Sequence, residues 1–156
     1  RVPQMVVPTQ YDHMLQRGQI LGYVHDDLAA LNGGVEGNAG LFSNASDLSR
    51  FCEMLINDGM FRGERIISRA TVRLFTSQPL TPKGIYRGLG FDMRKHDSEL
   101  YPGFGHTGYT GTMIWVDPKN DVYMVFLGNR VYPTRLNTGL SASQLRTKMW
   151  EILKAM

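Results

Sequence analysis

The sequence predicts an α+β fold in which helices pack on an antiparallel sheet. Three observations carry that expectation. Candidate strands are sparse in the first half of the chain and dense in the second. Two β-rich apolar runs, 112–116 and 122–127, are separated by Asp117-Pro118-Lys119-Asn120-Asp121, which reads as a hairpin turn. Two further segments, 45–58 and 140–155, carry apolar residues at helical spacing.

Taken in order, residues 2–9 are extended by Pro3 and Pro8 and read as a strand or an edge crossing. A second short strand is expected within 19–24, and one or two helical turns within 24–31. A loop with Gly33, Gly34, Gly37 and Gly40 follows. It lacks the Gly-Lys-Ser/Thr ending of a P-loop and the Gly-x-Gly start of a dinucleotide fold, so it is not read as a phosphate cradle. Helix 45–58 starts from Asn44 as N-cap with Asp47 three residues on. It sets Leu48, Phe51, Cys52, Leu55 and Ile56 on one face and stops at Gly59. Helix 69–77 starts after Ser68, carries Val72, Leu74 and Phe75, and is closed by Pro79 and Pro82. A strand is expected at Leu89-Gly90-Phe91-Asp92-Met93. Leu140, Leu145, Met149, Ile152, Leu153 and Met156 follow a helical pattern, which gives a terminal helix over about 140–155.

Composition bounds the function. The 156 residues suit one domain with a real core, and 42% apolar and 20% charged residues exclude disorder and collagen-like order. A formal charge of +3, with basic residues scattered rather than clustered, argues against nucleic acid as a partner. No apolar run is long enough to span a bilayer, and no signal-peptide pattern opens the chain. The chain opens at Arg1, which leaves processing or excision from a longer protein open. The single cysteine, Cys52, rules out an internal disulfide and reads as a buried thiol on a helix face.

Chemistry is expected first at Phe104-Gly105-His106-Thr107-Gly108-Tyr109-Thr110-Gly111-Thr112. Glycines bracket a His-Thr pair there, immediately before a strand. From the residues alone two readings stay open: a ligand-lining strand start, or a glycine-rich bulge with His106 as a structural histidine. His13, His25, His96 and His106 lack metal-ligand spacing and have no paired cysteines, so no metal or other cofactor is expected. His25 beside Asp26 and Asp27 reads as solvated or locally hydrogen-bonded. No Gly-x-Ser-x-Gly elbow and no Ser-x-x-Lys occurs; Ser43 follows the glycine loop without an evident base.

Three blocks together resemble the penicillin-recognising serine hydrolases of the class C β-lactamase, D-alanyl-D-alanine carboxypeptidase and esterase type. They are Val24-His25-Asp26 through Gly40-Leu41-Phe42-Ser43-Asn44-Ala45-Ser46-Asp47-Leu48; Gly88-Leu89-Gly90-Phe91; and Gly105 through Thr112, Asp117-Pro118 and Asn129-Arg130. The pattern is most similar to the module that some bacteria carry after a family 3 β-N-acetylglucosaminidase module. The resemblance implies a partial β-lactamase/transpeptidase-like fold. It puts His106-Thr107-Gly108 at the family's Lys-Thr-Gly triplet as substrate-binding residues, with the Tyr109 backbone N–H as one oxyanion-hole donor. Histidine for lysine places less fixed positive charge there at neutral pH.

The family's Ser-x-x-Lys and Tyr-x-Asn motifs are absent from the chain. Residues 1–156 are therefore expected to be a single domain forming the C-terminal portion of a larger serine-hydrolase module, inactive alone. Its expected partners are the remainder of that module, a small-molecule or peptidoglycan-derived substrate, and a second copy through an exposed sheet edge. The resemblance implies an extracytoplasmic location. The alternative expectation is a non-catalytic cell-wall-binding or structural module accessory to a glycoside hydrolase.

Overall fold

A computed structural model of the chain describes residues 6–77, 86–93 and 103–155. The fold is α+β, with two compact units that interleave along the sequence. One contains residues up to Ser43 together with Tyr109–Gly111 and Gly128–Gln144. The other contains Asn44–Gly108, Thr112–Leu127 and the chain from Leu145 onward.

The second unit is built on a four-stranded antiparallel sheet of β5 (Asp92–Met93), β6 (Phe104–Thr107), β7 (Thr112–Asp117) and β8 (Val122–Leu127), in that order. Side chains alternate across a strand, and here both faces are covered. Ile114 and Val116 of β7, with Tyr123 and Val125 of β8, pack with Cys52, Met54 and Leu55 of α2 (Ala45–Ile56) and Val72 of α3 (Arg69–Thr76). Met113 and Trp115, with Val122, Met124 and Phe126, pack with Trp150 and Leu153 of α5 (Leu145–Lys154). Trp115 and Trp150 are fully buried, and burying an apolar side chain of that class contributes about 1.5–3 kcal/mol. A small ribbon of β3 (Met60–Phe61) and β4 (Glu64–Arg65) joins α2 to α3.

The helix starts follow the sequence. The Asn44 side chain accepts from the Asp47 N–H at 3.0 Å, and Ser68 accepts from the Thr71 N–H at 3.0 Å. The hairpin turn is held by the fully buried Asp117, which accepts from the N–H groups of Lys119 and Asn120.

The first unit holds a two-stranded ribbon, β1 (Gln10–Asp12) with β2 (Gly18–Ile20), and a short helix, α1 (Asp27–Leu31), capped by Asp26. A second short helix, α4 (Gly139–Ser143), belongs to it as well.

Several boundaries differ from the sequence reading. Residues 6–9 form no strand; pairing begins where the Thr9 N–H donates to Ile20, beyond the proline that has no N–H to give. Residues 2–5 lie outside the described residues, as do Pro79, Pro82, His96 and Ser98. The strand within 19–24 is only Gly18–Ile20 in register. On α2, Phe51 is exposed and Met54 takes a core place. The strand expected at 89–93 shortens to Asp92–Met93. Leu89-Gly90 instead turns the chain, with the Gly88 N–H on Phe91 and the Met93 N–H on Tyr86. The terminal helix is two helices, because Gln144 is left-handed at φ 52°.

Candidate functional site

In the sheet unit, β6 carries the His-Thr pair on an inner strand between β5 and β7. The glycine before it has a steric cause. A Cβ on Gly105 would stand 2.2 Å from the Ile114 carbonyl oxygen and 2.6 Å from the Trp115 ring, so the indole lies where any side chain would go. His106 is on the opposite face, exposed. Its Nδ1 lies 2.8 Å from the Thr107 carbonyl oxygen and its Nε2 lies 3.3 Å from Nη2 of Arg87. A guanidinium can only donate and a carbonyl can only accept. That geometry assigns the ring proton to Nδ1 and the lone pair of Nε2 to Arg87. Thr107 is half-buried, and the Gly108 N–H closes onto the Thr112 carbonyl at 2.8 Å.

In the other unit, Tyr109 begins the short segment 109–111. The residue is 60% exposed, and its N–H donates to no acceptor among the described residues. The carbonyls that follow are held. Arg130 donates from Nε to the Tyr109 carbonyl at 2.7 Å, and from its backbone N–H to the Thr110 carbonyl at 2.8 Å. The Arg130 guanidinium also stands 4.3 Å from the centre of the Tyr109 ring. Gly111 is left-handed at φ 113°, and a Cβ there would meet the Arg130 nitrogen at 3.0 Å.

His25 stacks on the Tyr109 ring, with centroids 5.8 Å apart. Its Nε2 is 2.6 Å from Oε1 of the buried Gln10, which also accepts from Nε of Arg135 at 3.1 Å. Arg135 in turn grips both oxygens of Asp27, at 2.8 and 3.1 Å, and Arg17 joins Asp27 at 2.8 Å to the fully buried Asp12. Burial, then the charge of Arg135, holds the His25 imidazole below the ordinary histidine range. The hydrogen bond from Arg135 holds the Asp27 carboxyl below the usual carboxylate range. At Asp12, burial alone would raise the carboxyl; bonds from Arg17 and from the Leu15 and Met14 N–H groups outweigh it and lower it.

The remaining candidates resolve simply. His25 is hydrogen-bonded, to Gln10 rather than to the neighbouring carboxylates, while Asp26 caps α1 and Asp27 faces two arginines. In the glycine loop, the N–H groups of Gly33 and Gly34 close onto Ala30 and Ala29 of α1 and are not turned toward a phosphate. Burial pushes the Cys52 thiol up to about 11, so it stays protonated at neutral pH. Among the described residues, no group of three or more His, Cys, Asp or Glu side chains is placed to hold a metal ion. No helix there is long and apolar enough to cross a membrane.

Arg87, Arg130, Arg135, Arg17 and Gln10 escaped the sequence reading. The only local signal was Arg130 beside Asn129 in the last matching block.

An antiparallel sheet with helices on both faces, with His106 and Thr107 ending an inner strand and Gly108 following it, fits a partial β-lactamase- or penicillin-binding-protein-like serine hydrolase fold. A family model described as beta-lactamase matches residues 2–146, and the chain belongs to that family. It is also similar to proteins of Salmonella typhi, Salmonella gallinarum and Salmonella paratyphi B, each named "Putative D-alanyl-D-alanine carboxypeptidase". Each is 34% identical over 126 residues, covering 74% of this chain and 28% of the relative. The chain thus spans a little over a quarter of the length of these relatives.

Proposed function

We propose that residues 1–156 form one domain, the C-terminal portion of a serine-hydrolase module. The assembled module would hydrolyse an ester, or an amide such as a peptidoglycan peptide, through a serine acyl-enzyme. In it His106, Thr107 and Gly108 line the acyl site, and the Tyr109 N–H is one donor to the developing oxyanion. The observation that carries this reading is the Tyr109 N–H, which immediately follows the triplet and has no acceptor among the described residues. A donor aimed at the oxyanion is worth roughly 3 kcal/mol of transition-state stabilisation.

Two features support the larger module. Leu31, Val35 and Leu41 expose most of their apolar surface, up to 100% at Leu41, and β8 pairs with no strand beyond β7 among the described residues. The upstream part of the module is the proposed cover, with self-association through the β8 edge when that part is missing. An extracytoplasmic location belongs to the same proposal, supported by relatives named for a carboxypeptidase. So does attachment to a β-N-acetylglucosaminidase module, which reading the sequence upstream of Arg1 in the gene tests.

The chain alone should neither turn over a chromogenic ester or cephalosporin nor take a covalent label from a fluorescent penicillin, since it contains no Ser-x-x-Lys. The same assays on the longer gene product, with Ser-x-x-Lys and Tyr-x-Asn upstream, should be positive. Labelling of the chain alone would sink the reading, and a parent lacking both motifs would favour the non-catalytic binding module.

A further inference from the structure

We propose that Arg130 is a positioning residue that fixes the segment 109–111 and thereby the direction of the Tyr109 N–H. It rests on the reading of that N–H as an oxyanion donor. The segment 109–111 contains the left-handed Gly111, and a flexible glycine corner does not by itself aim a backbone donor. Arg130 removes that freedom through three contacts. Its Nε holds the Tyr109 carbonyl, its backbone N–H holds the Thr110 carbonyl, and its guanidinium lies against the Tyr109 ring. The guanidinium is itself anchored, donating from Nη1 to the Asn137 carbonyl at 2.8 Å and to that of Arg135 at 3.4 Å. The Tyr109 N–H belongs to the peptide joining Gly108 to Tyr109, and Arg130 restrains it from the two peptides that follow: with both carbonyls and the ring engaged, the Tyr109 Cα and its substituents are held, and only rotation about its N–Cα bond remains. Arginine is required because its planar fork donates in two directions while its face stacks; lysine offers a single point charge.

The test uses Arg130→Ala and Arg130→Lys in the 156-residue chain, read by amide nitrogen relaxation. Order parameters at Tyr109 and Thr110 should fall from the rigid value of about 0.85 to below about 0.6, while Gly111, whose peptide keeps its bond from the backbone N–H of residue 130, and the β7 amides stay unchanged. Arg130→Lys keeps the charge and the stem, and covers the case in which Arg130→Ala does not fold. Unchanged order at those two amides in a folded variant overturns the proposal. In the longer gene product, the variants should lower kcat by about 10- to 100-fold with KM within about twofold, the cost of misplacing a group by about 1 Å. A loosened segment with kcat unchanged would uphold Arg130 as the positioning residue and overturn the Tyr109 N–H as donor.

Discussion

Replacing Asp27 by asparagine removes the carboxylate that receives three charge-assisted bonds, two from Arg135 and one from Arg17. Breaking one partner of a fully buried ion pair costs about 3–5 kcal/mol. Asp27 keeps 31% of its side-chain exposure, Arg17 still has Asp12, and Arg135 still has Gln10, so the cost should be about 2 kcal/mol. Both tryptophans lie in the other unit, which makes their fluorescence the wrong probe. Amide hydrogen exchange at Tyr11, whose N–H donates to Pro133 at 2.9 Å, reports the right one and should speed up roughly 30-fold. The pH dependence adds a sign. The Asp27 carboxyl is lowered on folding, chiefly by Arg135, so its contribution is complete above the unfolded value of about 3.9 and is lost as pH falls through the folded value below it. The asparagine variant should therefore show a flatter acid limb of stability. Less than a twofold change in Tyr11 exchange at neutral pH, or an unaltered acid limb, would refute the network as a stabilising unit.

Other perturbations test single steps of the argument. Gly105→Ala drives a Cβ into the Ile114 carbonyl and the Trp115 ring, and should cost at least about 3 kcal/mol in urea unfolding followed by tryptophan fluorescence; a loss under about 1 kcal/mol would contradict the packing. Nitrogen-15 NMR of the neutral His106 ring should show the proton on Nδ1 in the wild type. Arg87→Ala should move it toward Nε2, and a wild-type ring already protonated at Nε2 would exclude the Arg87 contact. Cys52 should resist alkylation at neutral pH until the chain unfolds, so rapid labelling of the native protein would show that it is not buried as described.

What could be read from the sequence was local. Asn44, Ser68 and Asp117 each satisfy backbone donors two or three residues away, so the starts of α2 and α3 and the β7–β8 turn follow from short-range chemistry. The two apolar runs and the turn residues between them foretold the hairpin. They did not foretell that α5 covers one face and α2 with α3 the other, because a strand buried on both sides has no polar register to betray it. The long-range pairs were illegible for a different reason. Arg135 meets Gln10 across 125 positions and Asp27 across 108, and no spacing rule reaches that far. The triplet itself was legible as a family pattern, but the residues that orient its neighbours were not.

The charge at His106 shows how much such a neighbour matters. Read from the sequence, histidine in place of lysine takes a permanent cation away from the end of β6. In the folded unit, Arg87 stands 3.3 Å from the histidine Nε2, held there by the turn that pairs Tyr86 with Met93. A guanidinium does not titrate near neutral pH, whereas an imidazole does. With its Nδ1 proton committed to the Thr107 carbonyl and its Nε2 lone pair to Arg87, His106 has no ring nitrogen left over to donate a proton or accept one. The fixed positive charge beside the triplet thus resides on a residue 19 positions upstream, whose guanidinium donates to the His106 Nε2.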